Sequence, residues 1–124
     1  MIVRLVTATV KAERAGTFNA LMRAQLPELR RSPGLVYVKL ARRIRGDSEE
    51  VLLYEEWQDT ASLYGWTGPE LTRARLLPGA AELATTLNVV HYEALDRDPP
   101  IDGASSPTPD GGQGTAEPAT TEED

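Results

Sequence analysis

The amino-acid sequence predicts an α+β domain of order βαββαβ with a four-stranded antiparallel sheet, and three observations carry that reading. Runs rich in β-branched and aromatic residues occupy 2–10, 34–40, 51–57 and 87–95. Between the first two runs, Phe18, Leu21, Met22, Leu26 and Leu29 recur at helical spacing. Turn chemistry separates the pieces: Ser32-Pro33-Gly34, Gly46-Asp47-Ser48 and Pro78-Gly79. Two helical layers on one face of such a sheet make the ferredoxin-like arrangement.

Each element follows in turn. Ile2 to Val10 favours a strand through its β-branched content. The helix after it is amphipathic, and Pro27 should kink it or end its regular part by removing an amide bond. The second and third strands flank the Gly46-Asp47 turn. Asp59 is a good N-cap for a short helix through Leu63 and Tyr64. Gly68-Pro69-Glu70 predicts a restarted helix, with Pro69 at its first position and Glu70 complementing the dipole. Pro78-Gly79 breaks it, Ala80 to Ala84 adds a last turn or two, and Leu87 to Leu95 closes the sheet.

Alternation along the strands predicts more than the sheet itself. Ile2, Val6, Ala8 and Val10 oppose Val3 and Leu5; Val36, Val38 and Leu40 oppose Leu35 and Tyr37; Leu52 and Tyr54 oppose Val51, Leu53 and Trp57. Both faces are therefore apolar, while there are helices for only one. A second copy of the same sheet is the simplest cover for the other face, so a homodimer is expected.

Composition narrows the function. A chain of 124 residues suits one domain. Eight acidic residues and one basic residue fall in 96–124, which therefore carries −7 of the net −6 and leaves 1–95 at +1. A nearly neutral domain lacks the clustered positive field that nucleic acid requires. Arg42, Arg43 and Arg45 read as a solvated strand end. Five prolines and four glycines with Ile101 as the one large aliphatic between 97 and 124 predict a disordered tail. The domain is thus placed at 1–95 and the acidic tail at 96–124. No apolar run is long enough for a membrane span, and the start lacks an export signal, so a cytoplasmic location is expected.

The chemistry is bounded mainly by what is missing. The chain has no Cys and a single His, which disfavours a transition-metal site. There is no Gly-x-Ser-x-Gly elbow, phosphate loop or dinucleotide fingerprint. Glu55 and Glu56 are adjacent on a strand and face opposite sides, which rules out a paired-carboxylate site. What remains is a pocket with one or two polar groups, and the aromatics at strand ends and on the following helix suit a flat organic molecule.

Leu53-Tyr54-Glu55-Glu56-Trp57 followed by Gln58-Asp59 resembles the hallmark strand of the antibiotic biosynthesis monooxygenase family. Ser32-Pro33-Gly34-Leu35 and the closing Val90-His91-Tyr92-Glu93 fit as well, and the resemblance covers roughly residues 1 to 95. It implies a dimeric α/β-barrel built on the ferredoxin-like fold. In quinone-forming members it also implies oxidation of a polycyclic phenol or anthrone by molecular oxygen with neither metal nor flavin. Trp57 matches that family's strand-end Trp, which would stack on or wall in the substrate rings; Tyr64, Trp66 and Tyr37 are the further substrate-binding candidates. Quinone-forming members often carry Asn four residues before the Trp, where this chain has Leu53. Haem-degrading members use a first-strand Asn, a helix Trp and a later helix His. Trp66 matches that Trp, but Arg75 and Leu76 occupy the His region and the first strand has no Asn, so haem degradation is the lesser expectation.

The catalytic candidates are His91 and Arg75. His91 reads either as a rim histidine held by Glu93 or a backbone carbonyl, or as a general base whose ordinary pKa suits neutral pH. Arg75, expected on the helix after Pro69, would steady an oxyanion or sit exposed. The leading expectation is a cofactor-independent monooxygenase acting on an aromatic or polyketide-type molecule. The alternative is a non-catalytic dimeric binding or auxiliary protein using the same pocket.

Overall fold

The computed structural model describes residues 1–96, and the expectation of a disordered tail lies outside them. The elements are β1 (Ile2–Lys11), α1 (Ala12–Arg30), β2 (Leu35–Arg45), β3 (Ser48–Trp57), α2 (Thr60–Thr67), a 3-10 turn (Ala81–Leu83) and β4 (Ala84–Glu93). The strands pair antiparallel in the order β2-β3-β1-β4. This is the expected ferredoxin-like sheet, with α1 and α2 on one face. Among the described residues no helix is long and apolar enough to cross a membrane.

The core lies between that face and the helices. Val6, Ala8 and Val10 of β1 meet Val51, Leu53 and Trp57 of β3, and Phe18, Met22 and Leu29 of α1 close over them. β2 departs from simple alternation. A bulge between Leu35 and Tyr37 pairs Leu35 with Trp57 and Tyr37 with Glu56, which leaves Val36 as the extra, exposed residue. Leu35 therefore joins the helix-facing side, opposite to the alternation expected for it.

The helices differ from expectation in two places. α1 continues three residues past Pro27. A proline this close to the C-terminus leaves only one carbonyl without its amide, and Arg31 and Ser32 bond back to Glu28 and Leu29 to finish the turn. The helix expected from Pro69 is absent, since 68–80 is irregular up to the 3-10 turn. The physical reason is nonlocal: the carbonyls of Leu71 and Arg73 accept hydrogen bonds from the Arg4 side chain on β1. In a helix those carbonyls would serve amides four residues on.

Two junctions hold α2 in place. The Asp59 carboxylate accepts from the Ser62 amide at 2.8 Å, as its N-cap position predicts. Gly34 sits at φ +86°, and a Cβ there would overlap the Ser62 side chain. The glycine thus lets the start of β2 press directly on the start of α2.

Candidate functional site

Three side chains line up in one row across β3, β1 and β4, near one end of these strands, on the helix-facing side of the sheet. Arg4 of β1 is register partner to Glu55 of β3 and to His91 of β4. Strand alternation puts Arg4 in phase with Val6, Ala8 and Val10, and Glu55 in phase with Val51, Leu53 and Trp57. Arg4 is 0% exposed and Glu55 1%. Charges so deeply buried require partners, and each has them.

The Arg4 guanidinium is the hub. Its Nη1 donates to the Leu71 carbonyl at 2.6 Å and lies 2.9 Å from His91 Nε2, while Nη2 donates to the Arg73 carbonyl at 3.0 Å. Its Nε stands 3.6 Å from Glu55 Oε1, an ion pair without a hydrogen bond. That same carboxylate oxygen accepts from the Trp57 indole at 2.8 Å. Because a guanidinium has donors only, His91 Nε2 must be the unprotonated nitrogen, and its proton sits on Nδ1.

The electrostatics follow from burial. Desolvation pulls the Arg4 pKa down while Glu55 pushes it back up. Glu55 is raised by burial, with Trp57 and Arg4 opposing. His91 is lowered by burial and then by the Arg4 charge, so it is a neutral imidazole at neutral pH. The row thus presents a neutral base and a fixed cation side by side.

The six side chains singled out from sequence fall in four places. Trp57 and His91 belong to this row through Glu55 and Arg4. Trp57 is fully buried, and the partner of His91 is Arg4 rather than Glu93 or a backbone carbonyl. Trp66 and Arg75 meet elsewhere: the Arg75 guanidinium carbon lies 3.8 Å from the centre of the Trp66 ring. Arg75 also donates to the Trp66 carbonyl and pairs with Glu28 at 2.9 Å, beside a cleft of about 480 Å³ lined by Ser32, Ser62 and Gly65. It stands on irregular backbone and not on the expected helix. Tyr64 is exposed on α2. Tyr37 is on the opposite face of the sheet, edge-on to Tyr54 at 5.9 Å.

Sequence reasoning missed Arg4 and Glu55. The signal was available, since each is a charge at a core-facing position of an otherwise apolar alternation. Opposite signs at such positions on two strands suggest a buried pair.

The fold and the row define a small α+β protein with a polar group set in an apolar sheet-helix interior. The model of the family described as antibiotic biosynthesis monooxygenase matches residues 1–74, and the chain belongs to that family. No curated protein sequence matches it. Solved structures with the same fold include an antibiotic biosynthesis monooxygenase at 23% identity and TM-score 0.63, covering 77% of this chain and 100% of that one. A conserved protein of Methanosarcina mazei Go1 is 19% identical with TM-score 0.58, covering 74% and 91%. The haem degrader MhuD of Mycobacterium tuberculosis, solved with two haems in its active site, is 17% identical with TM-score 0.56, covering 80% and 100%.

The residues as arranged do not fit a haem held by histidine. Imidazole ligation of the iron needs a free lone pair, and the chain's single histidine turns that lone pair toward the Arg4 cation. Among the described residues no group of three or more His, Cys, Asp or Glu side chains could hold a metal ion.

Proposed function

We propose that the chain is a cofactor-independent monooxygenase of electron-rich aromatic molecules, phenols or anthrones of polyketide type, and that Arg4 and His91 carry the reaction. The observation behind this reading is the 2.9 Å contact between a neutral imidazole nitrogen and a buried guanidinium. A phenolic hydroxyl entering between them gives its proton to His91 Nε2, and the resulting oxyanion rests on Arg4. The substrate anion passes an electron to molecular oxygen, and the radical pair joins in a C–O bond at the ring carbon. The peroxide so formed takes back the proton from His91 Nε2, and loss of water, with the hydrogen on that ring carbon, leaves a carbonyl, with one oxygen atom in the quinone and the other in the water. Entry requires Arg4 to exchange the carbonyls of Leu71 and Arg73 for the substrate oxygen. Their segment has no regular structure to resist that exchange.

Oxygen consumption by chelator-treated protein against a panel of anthrones and hydroquinones tests the proposal. Turnover is expected, and His91→Gln, which keeps a polar group of similar reach, should lower the rate by about 10²–10⁴-fold. A wild-type protein that binds such molecules without consuming oxygen overturns it. That result favours a second reading, a non-catalytic small-molecule-binding protein. One observation supports this alternative: the His91 lone pair is already occupied by Arg4 in the closed arrangement.

A further inference from the structure

A second cleft, of about 600 Å³, runs between α1 and the edge strand β2. It is separate from the Arg4 row, none of whose residues line it. One stripe of α1 forms a wall: Gly16, Asn19, Arg23, Leu26 and Arg30, spaced three, four, three and four apart. Val38 and Leu40 of β2, with Val51 of β3, form the apolar floor. Lys39 and Ala41 are in phase with the other sheet face, so they line the cleft through the outer backbone edge of β2.

The charges here are one-sided. Arg23 and Arg30 are exposed and form no ion pair among the described residues. No carboxylate lines the cleft. Glu49, which bonds two residues of the lining, is capped by the Asn19 amide at 3.0 Å and by Arg42 at 2.8 Å. Those bonds, the Asn19 one foremost, hold its pKa down. Gly16 adds a second kind of evidence. A glycine inside a helix is unfavourable by roughly 1 kcal/mol relative to alanine, and a Cβ at this position would meet nothing within 4 Å. Packing therefore does not demand this glycine, and its effect is to leave that end of the cleft open.

We infer that the α1–β2 cleft binds a small organic anion with an apolar body, an aromatic or acyl carboxylate. The apolar part lies on Leu26, Val38, Leu40 and Val51, and the carboxylate pairs with Arg23 and Arg30. This site goes beyond the proposed oxidation and does not depend on it. Exposed arginines hold a carboxylate through charge-assisted bonds, and the apolar floor supplies the remaining contact.

Calorimetric titration of the full chain with 2-naphthoate and its uncharged analogue 2-naphthamide tests the inference. Saturable binding of naphthoate is expected, with naphthamide weaker by about tenfold, since one charge-assisted contact is worth that much. The double substitution Arg23→Gln, Arg30→Gln should erase the preference for the charged ligand. Gly16→Leu should weaken both ligands alike while melting no lower than wild type, because the leucine fills open cleft and improves the helix. Equal affinity for the two ligands overturns the inference, as does no binding of naphthoate at all, the result expected if a second copy covers the β2 edge. Loss of naphthoate binding in His91→Gln but not in the double arginine variant also overturns it, by moving the anion to the Arg4 row.

Discussion

At the scale of single residues, the centre of this molecule is governed by how Arg4 is satisfied. A buried guanidinium is tolerated because two carbonyls, one imidazole and one carboxylate surround it. The imidazole contributes only while neutral, and this gives a pH signature of definite sign. The folded pKa of His91 lies below its ordinary value of 6.5. Above that value His91 is neutral in both the folded and unfolded chain, and its contribution to stability is fully present. As pH falls below it, the unfolded chain takes up a proton that the folded chain resists, so stability drops. Glu55, raised by burial above its ordinary 4.5, acts in the opposite direction. The two are separated by comparing wild type with His91→Gln. Urea unfolding midpoints should fall between pH 7.5 and 5.5 in wild type, no more steeply than about 1.4 kcal/mol per pH unit, the limit for one proton. The slope should flatten in the variant. Identical slopes would mean that His91 does not titrate against Arg4.

At the scale of elements, α2 is fixed by its first turn and by the glycine beneath it. Asp59→Ala removes one capping bond and should cost about 1 kcal/mol. Gly34→Ala should cost more, because it adds strain at positive φ, of order 1–2 kcal/mol, to a direct overlap with Ser62. In a Ser62→Gly background the same change should recover the overlap part and keep the strain part, which a double-mutant cycle on thermal unfolding resolves. A Gly34→Ala protein as stable as wild type would show that β2 and α2 do not press together there. The Asp59 cap and the turn at Gly34 were legible in sequence because they are local, an Asp before a short helical run and a glycine after Ser32-Pro33; the contact between Gly34 and Ser62 joins two elements and was not. Also legible were the chain order of the four strands and the faces of β1 and β3, which depend on local composition and period. The segment 68–80 was not. Pro69 and Glu70 are sound helix-start chemistry, and what defeats them is an arginine 67 residues away in sequence from Leu71. No local pattern reports such a partner. The Leu35 shift was hidden for a related reason, since a bulge is a property of the β2–β3 pair rather than of either strand.

At the scale of the whole molecule, the open face of the sheet is the feature that a single copy leaves unaccounted for. Tyr37, Val90 and Tyr92 on that face are 45%, 42% and 54% exposed, and Leu5, Leu52 and Tyr54 lie among them by register. Apolar and aromatic residues spread over all four strands form a contiguous surface of the kind that marks an interaction site. The helices are committed to the other face, and a stable interface buries about 1,200–2,000 Å² in total, which a four-stranded sheet against its own copy can supply. We therefore expect a homodimer packed face to face. Val90→Glu places a charge on that surface directly across from Leu5 and should convert the dimer to monomer with the helix-facing core untouched. Light scattering at micromolar concentration reads the change, and circular dichroism checks that the fold persists. Removing residues 97–124 should leave the dimer intact, since every residue named on the face lies between Leu5 and Tyr92. A wild-type chain that is monomeric and unfolds cooperatively at these concentrations would show that the open face is stable in water by itself. A dimer unaffected by Val90→Glu would place the interface elsewhere, and the outer edge of β2 would then be the next surface to test.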